Sequence, residues 1–375
     1  MIGAGSFGTA LAVLLARGGL RTTLQTRTHE QAALLESEHE NRAYLPGVEL
    51  PAGLRVQDAS AGVARADYVF LAVPSRELGT VVDALGKEEG RSSAEGGRVV
   101  RPRRAESGGR TGSSEHAGGG GLGPRAAIVS VAKGLVPPEG LPPTSLLSAR
   151  FGAHRVACLG GPAHAQEMVH AGAALVAASH DEDLARALAH VLTRAGVVCE
   201  QSADPLGVEL AGAAKNAAAL AAGATEAQGL NAAGAAAGHI FAEVWRYAET
   251  LGARPESMIG LAGAGDLVAT ALARESRNRR AGELLAAGTP SAEIPARIGQ
   301  AVESLESVPL LGRTLERAGV GAPVTVALGR LISGELPLDA WVALVRATVP
   351  PPALWRRRPQ PGFWRRVWRQ LGGGR

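Results

Sequence analysis

Lys215 is the sole ionisable side chain between Ala211 and Ala224, in a segment that otherwise holds only Ala, Gly, Leu and Asn216. An unpaired ammonium in such surroundings costs several kcal/mol unless its pKa falls or a partner is supplied. Desolvation that lowers a lysine pKa also makes the amine a usable general acid or base. The plainer alternative is a lysine on the solvent face of an Ala-rich helix. Asp266 repeats the pattern with the opposite sign. It is the sole charge between Met258 and Ala273, and Thr270 follows it at i+4, on the same face of a continuous helix. It is a candidate partner for Lys215, or equally an N-cap after Gly265.

Further polar groups cluster around these two. Ser276, Arg277 and Asn278 open the run Ser276-Arg277-Asn278-Arg279-Arg280, which offers the hydroxyl, guanidinium fork and amide that phosphate recognition needs. A run of this kind is also an ordinary solvated surface. Lys133 follows the apolar run Ala127 to Ala132, and Gly160-Gly161-Pro162 follows the run Arg155 to Leu159. Both sit at strand carboxyl ends, the edge where open α/β sheets bind ligands. Nine histidines are scattered without metal-ligand spacing, no metal is expected, and none of the histidines receives a role.

Gly3, Gly5 and Gly8 form G-x-G-x-x-G directly before an amphipathic helix. In a dinucleotide fold the first glycine permits a tight turn, the second lets the pyrophosphate approach the backbone, and the third lets helix and sheet pack closely. At the end of the next strand, Leu24-Gln25-Thr26-Arg27, the acidic residue that usually holds a ribose 2′-hydroxyl is absent. Arg27 could meet a 2′-phosphate there, so NADP should be tolerated beside NAD.

These residues need a frame. Apolar runs ending in Thr26, and at 54–56, 68–73, 126–132, 155–159, 173–178 and 196–199, read as short buried strands, with helices at 30–38, 75–85 and 181–195. That alternation predicts a Rossmann-type, doubly wound parallel sheet over 1–204. After Pro205 long Ala-, Leu- and Gly-rich segments predict an all-α domain over 205–348. Residues 86–125, rich in Gly, Ser, Arg and Glu, read as a disordered insertion, and 349–375 as a basic tail carrying Trp355, Trp364 and Trp368. Only Met1 and Ile2 precede the glycine turn, where such a fold needs about five residues of central strand. A true start upstream of Met1 is the favoured explanation, a curtailed strand the other.

The chain of 375 residues suits two domains. Its formal charge of +4 is unevenly placed: 87–125 carries a net of +3 and 355–375 carries seven Arg and no acid, which leaves about −6 for the body. The high pI is therefore no argument for nucleic acid, and no zinc spacing or helix-turn-helix signature supports one. Cys158 and Cys199, each in an apolar run, suit a reducing compartment. No signal stretch opens the chain, and Lys215, Asn216 and Glu226 interrupt the Ala-rich run, so a cytoplasmic protein is expected.

GAGSFGTALA, NRAYLPGVELP, LAVPS, VAKGL, GGPAHAQE, VELAGAAKNAAALAAG, GLAGAGDLVAT and SRNRR, in this order and spacing, resemble the bacterial NAD(P)-dependent glycerol-3-phosphate dehydrogenase family. The resemblance covers roughly 1–340 apart from the insertion. It implies interconversion of dihydroxyacetone phosphate and sn-glycerol 3-phosphate, supplying phospholipid synthesis. It implies that Lys215 exchanges a proton with the C2 oxygen, with Lys133 and Asp266 in the catalytic group. Substrate contacts are implied for Lys133, Gly161, the Ala163 position, Asp266, Thr270, Ser276, Arg277 and Asn278. Cofactor contacts are implied for Gly3, Gly5, Ser6, Phe7, Gly8, Arg27, Lys133, Ala165, Arg277 and Glu303. Where the family usually has Ser and Phe after Gly-Pro, this chain has Ala163 and His164, which removes one hydroxyl donor.

Two other functions stay open at this point. One is a related two-domain 3-hydroxyacid or sugar-acid dehydrogenase, disfavoured by the paired lysines and the Ser-Arg-Asn site. The other is an NAD(P)-binding regulator without turnover. A homodimer is left open, and the Arg/Trp tail raises weak membrane-surface contact, although a tail without function is the stronger reading.

Overall fold

The computed structural model describes residues 1–63, 66–96, 122–273 and 276–349. The first part of the chain runs α1 (Ser6–Arg17), β1 (Thr22–Thr26), α2 (His29–Glu38), β2 (Glu40–Asn41), β3 (Leu45–Glu49), β4 (Leu54–Asp58), β5 (Tyr68–Leu71), α3 (Leu78–Gly96) and β6 (Ala127–Ser130). It continues with α4 (Pro143–Phe151), β7 (Val156–Gly160), α5 (Ala165–His170), β8 (Ala174–Ser179), α6 (Glu182–Arg194) and β9 (Val198–Ser202). β1 pairs with β4, and β5, β6 and β7 pair in turn, all parallel. Ile2 bridges Gln25 of β1 and Leu71 of β5, so the layer reads β4-β1-Ile2-β5-β6-β7-β8-β9. The order reverses at Ile2, where a doubly wound sheet opens its ligand crevice. β6 and β7 are buried along their whole length, as strands covered on both faces must be.

Two expectations for this half need correction, and one element is new. The sheet is mixed: β8 runs antiparallel to β7, with Cys158 opposite Ala178. The helix between them, α5, has six residues, about 9 Å of rise. A parallel return along a five-residue strand needs about 17 Å, so the chain turns back beside β7 instead. The run read as the start of an insertion at 86 continues α3 to Gly96, and Leu122 is already buried against Val69, Ile128 and Val156. The rest of that insertion, 97–121, lies outside the described residues, as does the tail from 350. Finally, β2 and β3 form a short antiparallel hairpin with a register shift, which showed no strand signal in the sequence.

The second half is helical, as expected: α7 (Pro205–Ala224), α8 (Leu230–Thr250), α9 (Pro255–Ile259), α10 (Asp266–Leu272), α11 (Arg277–Ala286), α12 (Ile294–Ile298), α13 (Ser304–Arg317), α14 (Pro323–Ile332) and α15 (Leu338–Ala347). α7 is its spine, packed against α8, α10, α11 and α13 and against β7 and β8 of the sheet. Its small side chains permit this. A Cβ at Gly223 would stand 2.0 Å from the Arg279 carbonyl oxygen, and one at Gly282 of α11 would stand 2.0 Å from that of Leu220.

Buried carboxylates join the helices by accepting the N–H groups that a helix start leaves unpaired. Asp204 accepts from the Gly207 N–H at 2.9 Å, opening α7, and from the Arg254 N–H and Ser257 hydroxyl at 2.7 Å, holding α9. Glu209 of α7 accepts from the Thr144 N–H at 2.9 Å and its hydroxyl at 2.6 Å, which ties α4 of the sheet layer to the helical half. Glu243 of α8 does the same for α14 through Val324 and Thr325.

Candidate active site

The glycine turn has the geometry that its spacing demands. Gly3 has φ +106°, and a Cβ there would meet the Ala72 carbonyl oxygen at 2.3 Å. Gly5 faces open space at the N-terminus of α1, where a pyrophosphate can approach the backbone. Gly8 packs so closely that a Cβ would stand 2.1 Å from the Gly3 carbonyl oxygen. Ser6 and Phe7 begin α1, and the half-buried Phe7 and Ala165 pack on the same core that α1 forms with the sheet. Arg27 lies exposed just past β1, and Gln25 and Thr26 before it are tied to the carbonyls of Asp58 and Gln57.

Across the sheet edge three charged side chains converge. Lys133, in the loop after β6, donates from Nζ to Asp266 Oδ2 at 2.7 Å and to the Gly161 carbonyl at 3.1 Å. Lys215 Nζ lies 3.3 Å from Asp266 Oδ1, and the Thr270 hydroxyl donates to the same oxygen at 3.3 Å. Asp266 begins α10 directly after a π-helical turn, Leu261–Gly265, and its carboxylate is spent on the two amines rather than on capping. Asp266 is 1% exposed and Lys215 7% by side chain, whereas Lys133 retains 20%. Lys133 is the more accessible amine of the pair.

Burial, and then the neighbouring Lys133 charge, lowers the Lys215 pKa to about 8, against the opposing pull of Asp266. Burial alone would raise Asp266, but the two ammonium groups and their hydrogen bonds outweigh it and hold the carboxyl below its ordinary value. A buried carboxylate shared by two amines is therefore ionised while one amine titrates near neutrality.

Asn216, which the sequence reading left without a role, connects this group to α11. Its amide donates to the Lys133 carbonyl at 3.2 Å and accepts from Asn278 Nδ2 at 2.9 Å. A lone amide beside a lone lysine was the available signal. Ser276 caps α11, accepting from the Arg279 N–H at 3.4 Å. Arg277 is exposed and donates to Gln300 Oε1 at 3.1 Å and the Ala301 carbonyl at 3.4 Å. It thus stands at the approach to Glu303 rather than inside the charged triad.

Glu303 is half-buried as a residue, and desolvation of its carboxyl raises its pKa, opposed by hydrogen bonds from Ser75 and by the charges of Lys215 and Lys133. Among the described residues its Oε1 and the neighbouring Ser304 hydroxyl have no hydrogen-bond partner, and a Cβ on Gly134 would stand 3.2 Å from that oxygen. Unsatisfied buried polar atoms beside a ligand-binding edge fit a bound polar group such as a nicotinamide carboxamide. Ser75 and Gly134 were missed because they adjoin Glu303 only through tertiary packing. Ala163 is partly buried against the α1 core and offers no side-chain donor, and His164 beside it is half-buried within the field of Lys215, Asp266 and Lys133.

A glycine cradle on a Rossmann-type sheet, together with a lysine-aspartate-lysine group drawn from the sheet's Lys133 loop and from α7 and α10 of the helical half, defines a two-domain dinucleotide-dependent oxidoreductase. Residues 1–93 match the N-terminal part of the NAD-dependent glycerol-3-phosphate dehydrogenases, and residues 204–343 match the C-terminal part. The chain is 36% identical to glycerol-3-phosphate dehydrogenase [NAD(P)+] of Deinococcus radiodurans over 89% of its own length and 90% of that protein. It is 32% identical to the Caulobacter vibrioides enzyme of the same name, covering 92% and 95%. The crystal structure of glycerol-3-phosphate dehydrogenase from Coxiella burnetii superposes with a TM-score of 0.76 at 26% identity, covering 92% of this chain and 98% of that one. The chain belongs to the NAD-dependent glycerol-3-phosphate dehydrogenase family.

Proposed function

We propose that Lys215 is the proton donor and acceptor in an interconversion of dihydroxyacetone phosphate and sn-glycerol 3-phosphate, with NADH or NADPH as the second substrate. The observation that carries this is the buried amine with a pKa of about 8, held on an aspartate that it shares with Lys133. When bound, the nicotinamide ring supplies a hydride to C2 of the ketone, or takes one from C2 of the alcohol. Negative charge then builds on the C2 oxygen, and Lys215 in its ammonium form donates the proton that neutralises it. Lys133 adds positive potential where water is scarce and the attraction is least screened. Asp266 fixes both amines through separate oxygens, and Thr270 fixes the aspartate.

Ser276, Arg277 and Asn278, at the N-terminus of α11, suit the phosphate of the substrate. Gly161 and the Ala163 position form the opposite wall. Gly3, Gly5, Ser6, Phe7 and Gly8 suit the pyrophosphate, Arg27 the adenosine ribose, and Ala165, Lys133, Arg277 and Glu303 the nicotinamide end. This assigns 1–204 to the cofactor, with an insertion from which 86–96 is now removed, 205–348 to the substrate, and 349–375 to a tail. Among the described residues no helix is long and apolar enough to cross a membrane. A cytoplasmic enzyme that feeds phospholipid synthesis agrees with this, and the tail would add at most weak surface contact.

The test is oxidation of NADH and NADPH with dihydroxyacetone phosphate, beside 2-keto acids, for the full chain and for Lys215→Ala. The variant is expected to lose about 10²- to 10⁴-fold in kcat while still binding cofactor. Turnover on keto acids without turnover on the phosphate ester would reject the assignment.

A further inference from the structure

We infer that His164 is a substrate-contacting side chain, its ring N–H donating a hydrogen bond to an oxygen of the bound phosphate ester and so helping to select that substrate. The inference rests on the function proposed above. His164 ends the loop Gly160–His164 after β7, immediately before α5. That loop is pinned to the reacting group, because the Gly161 carbonyl accepts from Lys133 Nζ at 3.1 Å.

The ring lies in the electrostatic field of Lys215 on α7, Lys133 after β6, Asp266 on α10 and Glu167 on its own α5. Its side chain is 33% exposed, so it is neither sealed in the core nor loose at the surface. Among the described residues none is seen to hydrogen-bond the ring, and the nearest carboxylate oxygen, on Glu167, stands 3.9 Å from Nδ1. A half-buried polar group without a protein partner wants one from water or ligand. Burial first, and then the Lys215 charge, pushes its pKa down. The neutral imidazole keeps one N–H donor, and an oxygen-rich anion drawn to the two lysines is the acceptor that fits. Ala163 next to it has no donor to offer, so the loop's side-chain selectivity falls to His164.

The test compares wild type, His164→Phe and His164→Asn in steady-state reduction of dihydroxyacetone phosphate, with KM for NADH measured alongside. His164→Phe keeps the ring volume and removes the donor. It is expected to raise KM for dihydroxyacetone phosphate about 3- to 10-fold, the range of one lost hydrogen bond. Its kcat and its KM for NADH should stay within about twofold of wild type, a scatter of about 0.4 kcal/mol. His164→Asn, a smaller neutral donor, should recover a measurable part of the loss. An unchanged KM in His164→Phe, or no recovery in His164→Asn, overturns the inference and leaves the proposed reaction standing. Wild type without turnover on dihydroxyacetone phosphate overturns both, and that result is read before any variant is compared.

Discussion

An amine that titrates at about 8 changes charge inside the range of an ordinary assay, and the two directions of the proposed reaction need opposite forms of it. Reduction of the ketone uses the ammonium, so its rate is expected to fall as pH rises through about 8. Oxidation of the alcohol uses the free amine, so its rate should climb through the same interval. Initial rates in both directions from one enzyme preparation check this, and two profiles of the same slope would take Lys215 out of the proton transfer. Replacing Asp266 by Asn removes the charge that both amines share. Turnover should drop at least tenfold, with the Lys215 transition moved to lower pH because the larger of its two stabilising carboxylates is gone and only the weaker pull of Glu303 is left. Lys215 and Asp266 were each legible in the sequence as lone charges in apolar runs. That Lys133 takes the shorter bond to the aspartate was not, because 133 residues separate the two and no local pattern encodes the contact.

At the scale of elements, placement of the α11 residues depends on how closely α11 lies on α7. A methyl group on Gly282 would drive into the Leu220 carbonyl, and overpacking of this kind costs about 1–3 kcal/mol. Gly282→Ala should therefore lower the thermal midpoint and raise KM for the phosphate ester, since Ser276, Arg277 and Asn278 ride on the helix that must move. A variant of unchanged stability and unchanged KM would show that the two helices have slack. Strand and helix positions were largely readable from apolar runs. The direction of β8 was not, because it follows from the length of a connection rather than from the strand's own residues. The β2–β3 hairpin stayed hidden for a related reason: Pro46 and Gly47 lie inside β3, where they read as turn punctuation.

For the molecule as a whole, Glu209 is a buried carboxyl that links the sheet layer to the helical domain away from the site, through Thr144. Burial raises its pKa to about 8, against the hydrogen bonds from Thr144. Unfolded, it titrates near its ordinary 4.5, so folding takes up a proton between those values. Stability from this group is full below about 4.5 and is lost as pH rises towards 8, at up to about 1.4 kcal/mol per pH unit. Thermal midpoints of wild type and Glu209→Gln should accordingly converge or cross between about pH 5 and 8, with wild type losing ground. Parallel curves would mean that the carboxyl stays ionised in the fold. The two-domain plan was legible because the pattern of apolar residues changes abruptly near Pro205. The clamp between the parts was not, since Glu209 sits in the sequence as one more polar residue near a helix start.

Because α7 lies on the sheet and also forms the spine of the helical half, the three charges proposed to serve the reaction come from opposite sides of the Asp204–Pro205 junction. Chains made as two separate pieces would send Lys133 away with one fragment and leave Lys215 and Asp266 with the other. Neither fragment would hold all three charges, and mixing them would restore turnover only in step with their docking, so enzyme rate itself would become a gauge of how well the fragments reassemble.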